Sequence, residues 1–176
     1  MFLSDLQLVN TAWGKYGFLL PLADLGGQAH PIVADYSRLP NSPFMELPAR
    51  PFDHLDPDYL IVNPEKGDPP IEELAADQYG TALCLSVLEH VTNPFAVFDG
   101  LYRCLKEGGL LILSTVFSYR YHEAPADYWR FSPECLFMLA RKAGLKVLEY
   151  GWGERALLMQ ADEYNLVRGV YLVARK

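Results

Sequence analysis

Short, nearly continuous apolar runs alternate along this chain with segments whose apolar residues recur every three or four positions. The run "ALCLSVL", Ala82 to Leu88, predicts a strand buried on both faces of a parallel sheet. It stops on two titratable residues, Glu89 and His90. A helix start follows, with Thr92 or Asn93 as cap and Pro94 at the first position. Phe95, Phe98, Leu101, Tyr102 and Leu105 fall on one stripe of that helix. "KEGG", 106–109, offers a cation for its last turn and a glycine for a left-handed C-terminal cap. "LLILSTVF" is a second buried strand, so the spacing predicts a strand–helix–strand unit with a right-handed crossover. The pattern then repeats. Ser132 caps, Pro133 and Glu134 open the turn, and Leu136, Leu139, Ala140 and Ala143 form the stripe. Gly144 ends the helix and "LKVLEY" is the next strand. "GVYLVARK" is a last strand whose basic end suits a place near a sheet edge.

The N-terminal part is less regular. Phe2, Leu6, Val9, Trp13 and Tyr16 recur at helical spacing, which predicts an amphipathic helix ending near Gly14. "FLLPLADLGG" reads as a strand running into a glycine turn, and "DYLIVNP" as another strand. Between them, Pro31, Pro40, Pro43, Pro48, Pro51 and Pro57 remove donors and block helix interiors. Only "PIVADYSRL" reads as a short helix there. From Asn63 to the strand at Thr81 there is too little chain for a helix, a strand and their loops. One sheet edge is therefore expected to be trimmed. The class is α/β, a mostly parallel sheet with helices on both faces. Ligands of such sheets bind outside the carboxyl ends of the strands, where Glu89 and His90 stand.

Composition narrows the partners. The chain has 176 residues, 51% of them apolar and 21% charged, and fits one domain, 1–176. A net charge of -7 argues against a broad phosphate-binding face and against nucleic acid as a partner. No apolar run approaches the roughly 20 residues of a membrane span, and "MFLSDLQLVN" lacks the basic start of a signal peptide. Cys84, Cys104 and Cys135 lie far apart without CxxC spacing, so they read as buried free thiols in a reducing cytoplasm. No metal is expected from them.

The residues around this frame carry a resemblance. "ADLGG", followed by "LCLSVLEHVTNPFAVFDGLYRCLKEGGLLILST", resembles the class I S-adenosylmethionine-dependent methyltransferases, with "VLEHV" and "LKEGG" as the more specific pair. "HEAPADYWRFSPECLFMLARKAGLKVLEY" is similar to a subgroup of small bacterial methyltransferase-domain proteins. The resemblance is strong from about Leu83 to Tyr150 and weak from Gly26 to Asp77. It implies a Rossmann-like sheet with an antiparallel last strand inserted beside "LKVLEY", S-adenosylmethionine as cofactor and a small-molecule acceptor. It also implies cofactor contacts at Asp24, Gly26 and Gly27, where glycine lets backbone approach a ligand. Ser86, Leu88 and Glu89, with His90, would line the adenosine and methionine pocket. The sequence departs from the family in two places, the glycine turn and the end of the second strand. Gln28 and His30 stand where further glycines are usual. Asn63, with Glu65 two residues on, stands where an acid usually takes the ribose hydroxyls.

The aromatic loop "SYRYHEAPADYWRF" leaves the second buried strand at the same sheet edge and has no helical or alternating period, as functional lids often do. His122, Tyr128 and Arg130 are expected to face the pocket, Trp129 and Phe131 to pack. Asp127 paired with Arg130 as a loop staple is the plainer alternative. "WGKYG", 13–17, is expected to be a packed helix end rather than a flap. The reading is O-methyl transfer to a small-molecule hydroxyl. Histidine is the natural base, here His122 or, second, His90. Tyr128 and Arg130 would touch the acceptor. The alternative is a catalytically inactive methyltransferase-like binding or accessory subunit, motivated by the altered turn and the missing acid. A nicotinamide-linked oxidoreductase lacks its GxGxxG. A homodimer covering the trimmed edge is a further expectation.

Overall fold

The computed structural model describes residues 3–26, 59–122, 126–157 and 166–176. The proline-rich segment, its expected short helix and Gly27 lie outside the described residues. Helix α1 spans Leu3–Tyr16 and is followed by strand β1, Leu22–Leu25. Then come β2 (Tyr59–Val62), β3 (Tyr79–Leu85), α2 (Pro94–Cys104), β4 (Leu105–Ser118), α3 (Pro133–Lys142), β5 (Lys146–Leu157) and β6 (Leu166–Arg175). The strands form one sheet in the order β2-β1-β3-β4-β6-β5. β2, β1, β3 and β4 pair in parallel, and β6 runs antiparallel to both β4 and β5. The last strand is thus one in from the edge, and β5 is the edge.

Strand alternation splits the core over the two sheet faces. Ala82, Cys84, Leu111, Leu113, Leu172 and Ala174 face α2 and α3, against Phe98, Leu101, Leu136 and Leu139. Leu83, Leu85, Leu110, Ile112 and Val173 face α1, against Val9 and Ala12. Both faces are apolar, which is why these strands read as continuous runs rather than alternating ones. Phe95 of the predicted α2 stripe is exposed, while Val97 and Cys104 are buried in its place.

The caps follow the sequence closely. The Asn93 side chain accepts from the Ala96 N–H at 3.3 Å, and Ser132 accepts from the Cys135 N–H at 3.2 Å. Gly144, with φ +98°, ends α3. "KEGG" differs from expectation. The helix stops at Cys104 because Leu105 is already extended, and Lys106–Gly109 form an irregularity inside β4. Gly108 takes its φ of +74° there, with its N–H on the Lys176 carbonyl.

The trimmed edge is real among the described residues. Where another strand would lie there are two single turns of 3-10 helix, Pro64–Lys66 and Ile71–Glu73. The second packs directly on α2, and Arg103 ties it down by donating to the carbonyls of Leu74 (2.9 Å) and Glu72 (2.5 Å).

"WGKYG" is the last turn of α1 and its exit: Gly17 N–H bonds the Trp13 carbonyl at 2.9 Å. Lys15 and Tyr16 both donate to the Glu149 carboxylate, tying α1 to β5. Lys15, and then Tyr16, hold the Glu149 carboxyl below its ordinary value. A carboxyl lowered in this way adds stability above its unfolded value of about 4.3 and loses it as the pH falls through the folded value. Glu149→Gln should therefore lower Tm near neutrality, and the gap from wild type should close in acid as the pH falls through the lowered folded value. Thermal melts across pH check this; a gap that persists unchanged in acid would contradict it.

Candidate active site

The carboxyl ends of β1, β2 and β3 lie side by side at one edge of the sheet, where an α/β fold places its ligand cleft. Gly26, just past β1, has φ +81°, and its N–H bonds the Val62 carbonyl at the end of β2 at 2.7 Å. A Cβ on Gly26 would stand 2.6 Å from Val87 Cγ2. Glycine is thus required twice, by dihedral and by contact. Asp24 is buried within β1, next to Ile61 and Leu83. Ser86, just past β3, also lies in the left-handed region at φ +55°, and its N–H bonds the Ser114 carbonyl at 2.9 Å. Such a conformation costs a non-glycine residue energy and is commonly kept at functional sites. Leu88 is fully buried in the following turn, its side chain part of the core on the α2 and α3 side of the sheet rather than a pocket wall.

At the end of β2, Asn63 is buried and its Oδ1 accepts from the Glu65 N–H at 2.9 Å. Glu65 is itself exposed. The acid that returns to the strand end is Asp68, whose Oδ2 accepts from the Asn63 N–H at 2.8 Å. Sequence reading missed Asp68 because a 3-10 turn, Pro64–Lys66, and Gly67 at φ +96° fold it back five positions later.

A second group gathers around Glu89 and His90, which form one turn of 3-10 helix with Leu88. Glu89 is 1% exposed, and its Oε2 accepts from Thr115 Oγ1 at 2.7 Å. Its backbone carbonyl accepts from the Tyr128 N–H at 2.8 Å and the Trp129 N–H at 3.3 Å, and the Trp129 indole N–H bonds the Val91 carbonyl at 2.7 Å. These bonds pin the aromatic loop over the turn and bring His122 to His90, ring centroids 4.8 Å apart and edge-to-face. His90 Nδ1 contacts the Ala126 carbonyl. A carbonyl only accepts, so Nδ1 carries the proton of the neutral ring and Nε2 keeps its lone pair. His122 Nδ1 lies 3.1 Å from Asp127 Oδ2, off the line of a good hydrogen bond, while the same oxygen accepts from the His122 backbone N–H at 3.0 Å.

Asp127 is the organiser of this loop. Arg130 grips it with both terminal nitrogens and also donates to the carbonyls of Tyr119, Arg120 and Trp129. The guanidinium, first, and the His122 N–H hold the Asp127 carboxyl well below the usual carboxylate range against the opposing cost of burial. The staple is thus what forms, and Arg130 is spent inside its own loop rather than on the cleft. Phe131 packs as expected, but Trp129 is 40% exposed and Tyr128 is 57% exposed.

Helix α1 supplies a residue that sequence reading did not single out. Asp5 is buried and accepts from Ser114 Oγ at 2.6 Å, with Ser86 Oγ at 3.5 Å. Asp5, Leu8, Ser114, Thr115, Gly153, Gly169, Val170 and Tyr171 line a cavity beside the Glu89 turn. An acid in an apolar helix stripe was the available signal. The thiols belong elsewhere: burial pushes Cys104 up to about 11 and raises Cys84 further, and Cys135 is only half-buried.

The sequence pattern of the methyltransferase domain family matches residues 15–150. The chain belongs to this family. Its sheet is the family's Rossmann-like sheet, and S-adenosylmethionine is the cofactor that goes with it. Over 50 residues the methyltransferase chain is 40% identical to the ubiquinone biosynthesis O-methyltransferase of Psychrobacter cryohalolentis, and over 49 residues 45% identical to that of Xanthomonas oryzae pv. oryzae. These matches cover 27% and 26% of this chain and a fifth of each relative, 20%. The structure of Burkholderia thailandensis 1,6-didemethyltoxoflavin-N1-methyltransferase, with bound 1,6-didemethyltoxoflavin and S-adenosylhomocysteine, superposes with a TM-score of 0.64. It does so over 99% of this chain and 78% of that one, at 15% identity. A possible histamine N-methyltransferase from Thermotoga maritima gives 0.56 over 99% and 88%, at 18% identity. At such identities the likeness is one of fold. No helix among the described residues is long and apolar enough to cross a membrane.

The cleft fits the cofactor. The fit is one of chemistry: Gly26 keeps the turn after β1 tight against Val87, and Asn63, Asp68 and Ser86 bring polar groups to the neighbouring strand ends.

Proposed function

We propose that this methyltransferase transfers a methyl group to a hydroxyl of a small molecule. The observation that carries the reading is the His90–His122 pair, two imidazoles in contact at the carboxyl edge of β3 and β4, beside the cleft of Gly26, Asn63 and Ser86. The O-methyltransferase relatives support a hydroxyl acceptor over the segment that they share with this chain.

S-adenosylmethionine, when bound, supplies a methyl group on a sulfonium. The chain's own residues bind and orient. Gly26 and Ser86 offer backbone, Asp24 lies within β1 behind the turn, and Asn63 and Asp68 offer hydrogen-bonding groups for the ribose hydroxyls. Alignment of donor and acceptor can supply much of the acceleration. A hydroxyl must also lose its proton as the new O–CH3 bond forms, while the S–CH3 bond breaks and its electron pair stays on sulfur. The imidazoles are the groups placed to handle that proton: His90 with Nε2 unprotonated, His122 with Asp127 at its Nδ1. The aromatic loop, held down by the carbonyls of Glu89 and Val91, keeps His122 against His90.

The test uses methyl-labelled S-adenosylmethionine with a panel of small phenols, alcohols and amines. Labelled ethers from hydroxyl compounds are expected, with turnover of His122→Ala at saturating acceptor at least about 100-fold lower, the usual size of a general-base contribution. Products from amines alone would overturn the hydroxyl assignment. Tight cofactor binding with no product from any acceptor would favour a binding subunit instead.

A further inference from the structure

We propose that Glu89, His90 and His122 form a three-ligand site for a borderline divalent transition-metal ion of the zinc class. One donor atom from each residue lies within 4.8 Å of the others. The inference deepens the proposed function, because the same imidazoles stand on the acceptor side, but uptake of the ion does not depend on methyl transfer.

Three features of the site point to an ion. First, each ligand is held from behind. Thr115 Oγ1 holds Glu89 Oε2 and the Ala126 carbonyl holds His90 Nδ1, while Asp127 holds His122 through the His122 backbone N–H and stands 3.1 Å from its Nδ1, close enough to bond it after a small rotation of the ring. Outer partners of this kind are what orient metal ligands and fix the histidine tautomer. Second, the inner atoms are spaced for an ion and not for each other. Glu89 Oε1 and His90 Nε2 are 4.0 Å apart, too far for a hydrogen bond. Two donors bound at about 2.1 Å to one ion stand roughly 3–4 Å apart, so this pair already has that spacing and the widest pair, within 4.8 Å, closes by a small side-chain movement when the ion binds. Third, the Glu89 carboxylate is buried, and the side-chain bond it accepts comes from a neutral hydroxyl. Arg130 acts on it only through space, its donors being taken by Asp127 and loop carbonyls, and a buried carboxylate gains from a cation bound directly.

The donor set selects the ion. Two imidazoles and one carboxylate suit zinc, iron(II) or cobalt(II) better than magnesium or calcium, which take oxygen. Three protein ligands leave a coordination position open. The cysteines, on which the expectation of no metal rested, have no part in it.

The experiment uses the full chain freed of metal with a chelator. Zinc is titrated by calorimetry, and cobalt(II) by its visible absorption. One ion per chain is expected. His122→Ala and Glu89→Gln should each weaken binding by more than 100-fold. Asp127→Asn, which leaves the three ligands in place, should weaken it about 10–100-fold. Circular dichroism confirms that each variant is folded. No uptake, or uptake unchanged in His122→Ala, would overturn the site; the latter would place the ion elsewhere. The metal-free protein is titrated in parallel with S-adenosylhomocysteine. Cofactor binding with no ion uptake sinks the ion site alone. Ion uptake without cofactor binding supports the site and counts against the methyl-transfer reading.

Discussion

Gly26→Val should weaken S-adenosylhomocysteine binding by at least about 10-fold and leave the protein folded. The residue sits at φ +81°, and any side chain there pays the left-handed penalty, roughly 1–2 kcal/mol and more for a β-branched one. The Cβ would also meet Val87 Cγ2 at 2.6 Å. Val87 is β-branched and stiff about χ1, so it cannot swing aside without moving the turn that carries Glu89 and His90. Both routes of relief, shifting the Gly26 turn or shifting the Val87 turn, deform the cleft. A loss of about 1.4 kcal/mol is tenfold in affinity. Calorimetry of the variant measures it. Wild-type affinity would show that the cofactor is not held at this turn.

Gly100→Ala should be the most destabilising single-methyl change in α2. Its Cβ would stand 2.3 Å from the Ile71 carbonyl oxygen and 2.9 Å from Glu72 Cα. These are backbone atoms of the 3-10 turn that closes the trimmed edge, and Arg103 anchors that turn by two bonds. Neither partner has a free rotamer to take up the strain. Overpacking of this kind typically costs about 1–3 kcal/mol, so Tm should fall by roughly 3–10 °C for a chain of this size. Gly14→Ala is the control. It lies in α1 with nothing within 4 Å of the added Cβ, and there alanine should stabilise by about 0.5–1 kcal/mol. Equal melting temperatures for Gly100→Ala and wild type would refute the packing account.

The frame was legible because its signals are local. Buried parallel strands announce themselves as the apolar runs of β3 and β4, and Asn93, Pro94, Ser132 and Gly144 mark helix ends by their own backbone chemistry. The shortage of chain between Asn63 and Thr81 was enough to predict the trimmed edge. "KEGG" misled because a glycine after a helix can cap it or serve the next strand. Here β4 begins at Leu105, and Gly108 is needed inside that strand. Phe95 misled because stripe counting does not know that the 3-10 turn at Ile71 takes the neighbouring face of α2.

The site divides along the same line. Sequence alone determined that Glu89 and His90 end a buried strand at the ligand edge, that Gly26 ends the first strand, and that an aromatic loop leaves the next one there. It did not determine what faces what. Arg130 looked available, but its guanidinium is closed on Asp127 three residues away and on loop carbonyls. Asp5 comes from the first helix to Ser86 and Ser114, 81 and 109 positions on. His122 reaches His90 only because the backbone of Tyr128 and Trp129 bonds the Glu89 carbonyl. Periodicity and capping record contacts within a few residues, so they fix the elements and their order. The meeting of Glu89, His90 and His122 depends on a sheet register, a pinned loop and a buried carboxylate, and only the tertiary structure brings those to one point.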